Sequence, residues 1–357
     1  MLVVPRADLA PALEAVRGGL PGRGESAPRQ ILLVAEQGEL RVVTHNQAIH
    51  AEATLGVGAG ELNVVAPAEL AEIVPRLDET ITLSPKETTL TVKSNGAVLR
   101  LGCFPVDGFP VMSFQQTGAP ITLPAQDFRH ALSFAQGAIP SADPRACFNG
   151  VLFQFSESAL TLVGCDSFVL AVIRLGVGGP PGKSWILPTR AVAEILKLLR
   201  ATDEETLELS LGAARLRFRL GKVTLTVACV DAAYPAWPAI LAHAKLGNHT
   251  IDADQAAFLG ACERVCLVAR DEPRIQLSYG AGQITLSTEK GGQAAEEKLS
   301  ADCAHEGVVT FKRAQLRVAA AAIRGPRITL RIGEPHQPVL VTGAAKTECY
   351  VLSPVKD

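Results

Sequence analysis

The run Gly176-Val-Gly-Gly-Pro-Pro-Gly-Lys-Ser-Trp185 ends like a phosphate-binding loop, in which backbone N–H groups cradle phosphates and a lysine reaches them. Such a loop needs a glycine five residues before Gly182, where Val177 stands, and a helix afterwards, where Ser184-Trp-Ile-Leu-Pro188 reads as a strand. The run is therefore expected to be an interstrand loop. Cys262 and Cys266 stand one helical turn apart, but no CxxC pair and no neighbouring histidine completes a zinc set. They read as two small apolar residues on one helix. No GxSxG or HExxH appears and the histidines are scattered, so no catalytic residue, metal ligand or cofactor is assigned.

Composition narrows the remaining classes. Of 357 residues, 48% are hydrophobic and 20% charged, which suits a globular chain of two or three domains. No run approaches the roughly 18 consecutive apolar residues of a membrane span, and the N-terminus lacks a basic stretch followed by an apolar one. A soluble, cytoplasmic protein with no membrane partner is expected. The net charge of -2 argues against a uniformly basic nucleic-acid binder, though not against a protein whose positive charge is confined to one surface.

The elements that would position any site recur along the chain. Leu70, Ile73, Val74 and Leu77 fall at i, i+3, i+4 and i+7, the apolar stripe of a helix. Val192, Ile195, Leu196 and Leu199 repeat that spacing, and Leu316, Ala319, Ala320 and Ile323 repeat it again. A second helix family precedes each: Leu9, Ala12, Leu13 and Val16; Phe128, Ala131, Leu132 and Ala135; Phe258, Ala261, Cys262 and Val265. Alternating β-branched runs separate the helices, with Asn95-Gly96 and Leu220-Gly221 supplying hairpin chemistry. Two joints match as well, Cys103-Phe-Pro-Val-Asp-Gly-Phe-Pro-Val-Met112 and Cys229-Val-Asp-Ala-Ala-Tyr-Pro-Ala-Trp-Pro-Ala-Ile240. The chain reads as α+β, three tandem copies of a unit with two helices and about eight strands, over 1–116, 117–241 and 242–357.

The order of Phe148-Asn-Gly-Val-Leu-Phe-Gln-Phe155, Gly164-Cys-Asp-Ser-Phe-Val-Leu-Ala-Val172, Ile186-Leu-Pro-Thr-Arg-Ala-Val-Ala-Glu-Ile-Leu-Lys-Leu-Leu199, Val230-Asp-Ala-Ala-Tyr-Pro-Ala-Trp-Pro-Ala-Ile-Leu241 and Tyr350-Val-Leu-Ser-Pro-Val-Lys-Asp357 resembles the bacterial replicative sliding clamp, the β subunit of DNA polymerase III. The resemblance covers the full length. It implies two crescent protomers closing head to tail into a ring that encircles duplex DNA without reading its sequence and tethers the polymerase as a processivity factor. The implied partners are a second copy of the chain, the polymerase III catalytic subunit, the clamp loader and other clamp-motif proteins. The alternative is a clamp-fold scaffold, or a specialised second clamp, with altered partner choice and little DNA loading.

Site residues follow from the same resemblance. Arg23, Arg145, Arg190, Lys197, Arg313 and Arg317 would touch DNA, and the stretches 188–201 and 312–325 do carry excess positive charge in a chain that is net negative. A solvated helix face accounts for Arg190, Lys197, Arg313 or Arg317 taken singly just as well, while Arg23 and Arg145 read as loop residues. Phe109 and Val111 would meet Cys266 and Leu267 of the other protomer; Phe109 could instead be a core aromatic of its own unit. Partner peptides would enter a groove made by Phe148, Cys165, Ser167, Phe168, Val169, Leu170, Pro235, Ala239, Ile240, Val351, Leu352, Ser353, Pro354 and Val355. Packing at a domain junction is the competing account of those residues. The family's His and Arg in the stretch Cys165-Asp-Ser-Phe-Val-Leu-Ala171 are replaced here by Phe168 and Val169, and its Met-Pro-Met-Arg tail by Ser353-Pro-Val-Lys356, so the groove keeps its apolar character and loses polar handles.

Overall fold

Strict alternation of apolar and polar residues makes half-buried strands, and the chain is built mostly of them. In the strand Gln30–Glu36 the side chains of Ile31, Leu33 and Ala35 are buried while the intervening ones are partly or fully exposed. The computed structural model describes residues 1–268, 270 and 273–355. Among these, each of the three sequence copies contributes eight strands. The helices are α1 (Arg6–Ala15), α2 (Leu70–Ile73), α3 (Ala125–Gln136), α4 (Thr189–Arg200), α5 (Trp237–Ala244), α6 (Gln255–Val265) and α7 (Arg313–Ala322).

The apolar stripes face inward as their spacing predicts. Ala191, Val192, Ile195, Leu196 and Leu199 are buried on α4, and Leu316, Ala319 and Ala320 on α7. Asp254 caps α6, its carboxylate accepting from the Ala257 amide at 2.8 Å. One local reading needs correction. The second helix of the first copy is a single turn followed by a 3-10 turn at Val74–Arg76, because Pro75 has no N–H to continue the ladder. Helix α5 follows the joint after Cys229, and Pro238 at its start and the alanines after it favour the helix. Ser184–Pro188 is a strand, as the loop argument requires.

The chain divides into two compact units. The first comprises Met1–Asp127 and Arg190–Cys229. Its eight-stranded sheet runs Leu62–Pro67, Gln30–Glu36, Glu39–His45, Ile49–Gly56, Val223–Ala228, Arg215–Leu220, Thr206–Leu211, Ile121–Pro124. The middle seam joins the fourth strand of the first copy to the eighth of the second, antiparallel, with Ile49 opposite Val227. A four-stranded sheet, Leu2–Pro5, Thr80–Lys86, Thr89–Ser94 and Ala97–Gly102, completes this unit. Its last hairpin turns on Asn95 and Gly96, both at positive φ, the geometry that asparagine and glycine tolerate. The corresponding hairpin of the second copy turns on Gly221 and Lys222, one residue later than the sequence suggested.

The second unit comprises Phe128–Thr189 and Val230–Asp357. Its twelve-stranded sheet repeats the seam: Val169–Leu175, fourth strand of the second copy, pairs with Glu348–Leu352, eighth of the third. Gly164, near the end of Leu160–Cys165, lies where helix α3 comes closest, and a Cβ there would stand 1.9 Å from the Ala135 carbonyl oxygen. Gly164→Ala should therefore push α3 off the sheet and lower stability by about 1–3 kcal/mol, the usual penalty of overpacking. The midpoint of urea unfolding checks this against Gly176→Ala, where an added Cβ meets nothing within 4 Å and the midpoint should hold.

Candidate functional site

The second unit gathers apolar side chains around its seam. On Val169–Leu175, Leu170 and Val172 face the same side as Val351, which is opposite Leu170 in the ladder. With Phe148, Leu152, Val163, Cys165, Trp237 and Leu241 they form one buried cluster, bordered by Tyr234 and Ile240. Two hydrogen bonds position the α5 side of the cluster. The Tyr234 hydroxyl donates to the Val163 carbonyl at 3.1 Å, and the Trp237 indole N–H donates to Gln154 Oε1 at 3.1 Å.

Two short loops rim the cluster. In one, the Asp166 carboxylate accepts from the amides of Phe168 and Val169, both at 2.6 Å, closing the turn that carries Ser167 and Phe168. The Phe168 carbonyl then accepts from the Ser353 amide at 2.8 Å, and the Thr310 carbonyl from Val355 at 2.8 Å, so Ser353–Val355 is stitched between Phe168 and Thr310. In the other loop, Asn149 ties itself to Asp143 through Nδ2 and Oδ1, at 2.7 and 2.8 Å. Arg145 forks onto the Asp143 carboxylate with two bonds of 2.8 Å, reaches Ser167 Oγ at 2.6 Å and stacks its guanidinium 4.2 Å above the Phe148 ring. Those bonds hold the Asp143 carboxyl down to about 2. Burial pushes the Cys165 thiol up to about 12, which leaves it a small apolar group rather than a nucleophile.

Of the fourteen expected groove residues, twelve therefore fall into two sets. Phe148, Cys165, Leu170 and Val351 belong to the buried floor, with Ile240 against it, while Ser167, Phe168, Pro235, Ala239, Ser353, Pro354 and Val355 are at least partly exposed around it. Val169 and Leu352 do not join them. They pair with each other in the ladder, one residue along from Leu170 and Val351, and so point to the opposite face of the sheet. Lys356, at the end of the tail, lies outside the described residues. Sequence reading missed Lys312, whose ammonium sits 3.0 Å from the centroid of the Phe168 ring, and missed the Asp143–Asn149 bracket. Asp-Pro-Arg at 143–145 was a legible turn signal; Lys312 offered none.

The remaining expected residues lie elsewhere. In the first unit, Arg23 pairs with Glu72 at 3.4 Å, Arg190 with Glu25 at 3.1 Å and Lys197 with Glu14 at 2.5 Å. In the second, Arg313 donates to the carbonyls of Cys266 and Arg270, while Arg317 is exposed on α7. Phe109 is 8% exposed and packs on Val43 and Val65 in the first unit, whereas Val111 is 83% exposed; Leu267, in the second, is 62% exposed. Among the described residues no three His, Cys, Asp or Glu side chains are grouped to hold a metal ion, and no helix is long and apolar enough to cross a membrane.

Residues 122–236 match the family model described as the DNA polymerase III beta subunit, central domain. A beta sliding clamp of Caulobacter vibrioides is 27% identical over 311 residues, 82% of this chain and 82% of that one. The beta sliding clamp of Escherichia coli K12 is 22% identical over 273 residues, covering 75% and 74%. A solved structure titled Caulobacter crescentus pol III beta superposes over 100% of both chains with a TM-score of 0.92 at 25% identity. The Pseudomonas aeruginosa subunit does so with 0.93 at 20% identity, likewise over 100% of both.

The Asp166 turn carries a checkable consequence. Asp166→Ala removes the acceptor of two amides, so hydrogen exchange at Phe168 and Val169 should quicken about tenfold or more, the equivalent of a lost hydrogen bond of about 1.4 kcal/mol. Asp166→Asn retains an acceptor oxygen and should exchange like the unaltered chain.

Proposed function

The chain belongs to the bacterial beta sliding-clamp family, and we propose that it works as a DNA sliding clamp: a homodimeric ring around duplex DNA that tethers a polymerase. The carrying observation is the pattern of strand edges. Both seams join the fourth strand of one copy to the eighth strand of the next. By the same rule the fourth strand of the third copy, Gln293–Cys303, calls for the eighth strand of a first copy, Ala97–Gly102. Ala97–Gly102 ends its sheet with a bare edge, and Gln293–Ser300 is paired on one side, with Gln283–Lys290. Unpaired edges of this kind are templates for another chain. A head-to-tail pairing of two chains satisfies both edges twice, and a closed ring follows when the rotation fits.

The side chains agree with that pairing. Val98, 50% exposed on the bare edge, and Val111 and Leu267 offer apolar contact. Arg100 on one edge and Glu296 and Glu297 on the other carry opposite charge. We take Val111, Cys266 and Leu267 as interface residues, with Phe109 supporting them from inside its own unit, and the three copies, 1–116, 117–241 and 242–357, as the clamp domains.

Arg23, Arg145, Arg190, Lys197, Arg313 and Arg317 are proposed to meet phosphate. Arg23, Arg145, Arg190 and Lys197 already have carboxylate partners in exposed ion pairs, each worth little in water. Phosphates can displace such partners, but the net gain per contact is small. Weak, salt-sensitive contact without base readout lets a ring slide while topology retains it. The apolar cluster and its rim at Phe148, Phe168 and Ser353–Val355 are proposed as the site for apolar anchors of the polymerase, the clamp loader and other clamp-motif proteins in the cytoplasm. The protein is taken to have no reaction of its own.

Mass in solution and retention on DNA test the proposal together. The chain should run as a dimer, and once loaded should stay on closed circular duplex and run off the same duplex after linearisation. Leu267→Asp should turn the dimer to monomer and abolish retention on circles. A monomeric wild type that leaves both DNAs at one rate would end the clamp reading. For the groove, Pro354→Ala and Phe168→Ala should each weaken binding of a clamp-motif peptide about tenfold in fluorescence anisotropy.

A further inference from the structure

Two cations sit on two aromatic rings at the rim of the groove, and they are in different electrostatic states. Arg145, above Phe148, is bound twice by the Asp143 carboxylate and once by Ser167 Oγ. Lys312, above Phe168, rests on the ring face, and among the described residues no carboxylate is paired with it. The nearest acid in the turn, Asp166, is occupied: Oδ1 takes the amides of Phe168 and Val169, and Oδ2 lies 3.4 Å from Gln315 Nε2. A ring face attracts an ammonium but accepts no conventional hydrogen bond, so the lysine keeps donors to spare.

The position of this ammonium is fixed from both sides. Lys312 closes the strand Gly307–Lys312 two residues after Thr310, whose carbonyl anchors Val355, and Phe168 is held by the Asp166 turn and by Ser353. The unpaired charge therefore stands beside the segment Ser353–Val355 that borders the proposed groove. An anchor that fits this floor would bring the adjoining backbone and side chains of its peptide past the ammonium.

We propose that Lys312 is a specificity-determining residue of the partner groove, and that it binds a carboxylate carried by a peptide whose apolar side chains enter beside Phe148 and Leu170. The favoured partners are thus acidic-apolar peptides. This rests on the reading of the groove as the partner site. Phe168 acts as the platform that orients the ammonium, so the loss of family polar groups at 168 and 169 is offset by a cation supplied from the other side of the tail.

The experiment uses the full chain and labelled peptides with identical leucine and phenylalanine anchors, in pairs that differ by one aspartate or asparagine at each position next to an anchor. Anisotropy should show at least one aspartate peptide bound fivefold or more tightly than its asparagine twin at low salt. Lys312→Met, which keeps contact with the Phe168 ring, should bring that ratio to about one without changing the asparagine affinity, and Lys312→Arg should preserve it. If wild type binds every pair equally, the proposal is overturned while the groove stands. If no peptide binds at all, the groove reading falls and takes the proposal with it. Should Lys312→Met leave the ratio intact and weaken binding to short DNA instead, the ammonium serves phosphate and the proposal is overturned.

Discussion

Backbone edges govern this molecule. A β-rich chain of repeated units must pair or cover every strand, because an open edge exposes amides and carbonyls that any other strand can take. Here two of the edges are closed by the repeat itself. Ile49–Gly56 pairs with Val223–Ala228 in the first unit and Val169–Leu175 with Glu348–Leu352 in the second, the same strand positions each time. These seams decide which residues meet. The apolar cluster of the second unit exists because the second seam sets Leu170 opposite Val351 and brings the tail to Phe168.

The seam also explains why contact-based units and sequence copies differ. The second copy gives its strands Thr206–Leu211, Arg215–Leu220 and Val223–Ala228 to the first unit and Gly150–Phe155, Leu160–Cys165 and Val169–Leu175 to the second. Each half of that copy makes its sheet with a neighbour. A unit of repetition and a unit of packing need not coincide when each copy carries two sheets that continue outward.

Much of this was legible in the residues. Helical stripes such as Val192, Ile195, Leu196 and Leu199 and the Asn95-Gly96 turn are local signals and came out as read. The resemblance named residues that meet in one apolar cluster, because Phe148, Cys165 and Leu170 stand in contiguous motifs. Illegible were relations fixed only by distant pairing. Whether Val169 or Leu170 faces the groove depends on which side of the sheet the cluster occupies. Phe109 packs on Val43 and Val65, residues far from it in the sequence. Lys312 meets Phe168 across the tail, a contact with no trace in either local sequence.

The strand Glu348–Leu352 follows every other strand of its sheet in sequence, yet it sits in the interior, between Val169–Leu175 and Val339–Thr342. During synthesis the two flanking strands emerge first and remain without their shared neighbour until those five residues clear the ribosome. The sheet therefore cannot close progressively from one end. Its completion is a late, long-range event that joins residues early and late in the unit, a topology that slows folding.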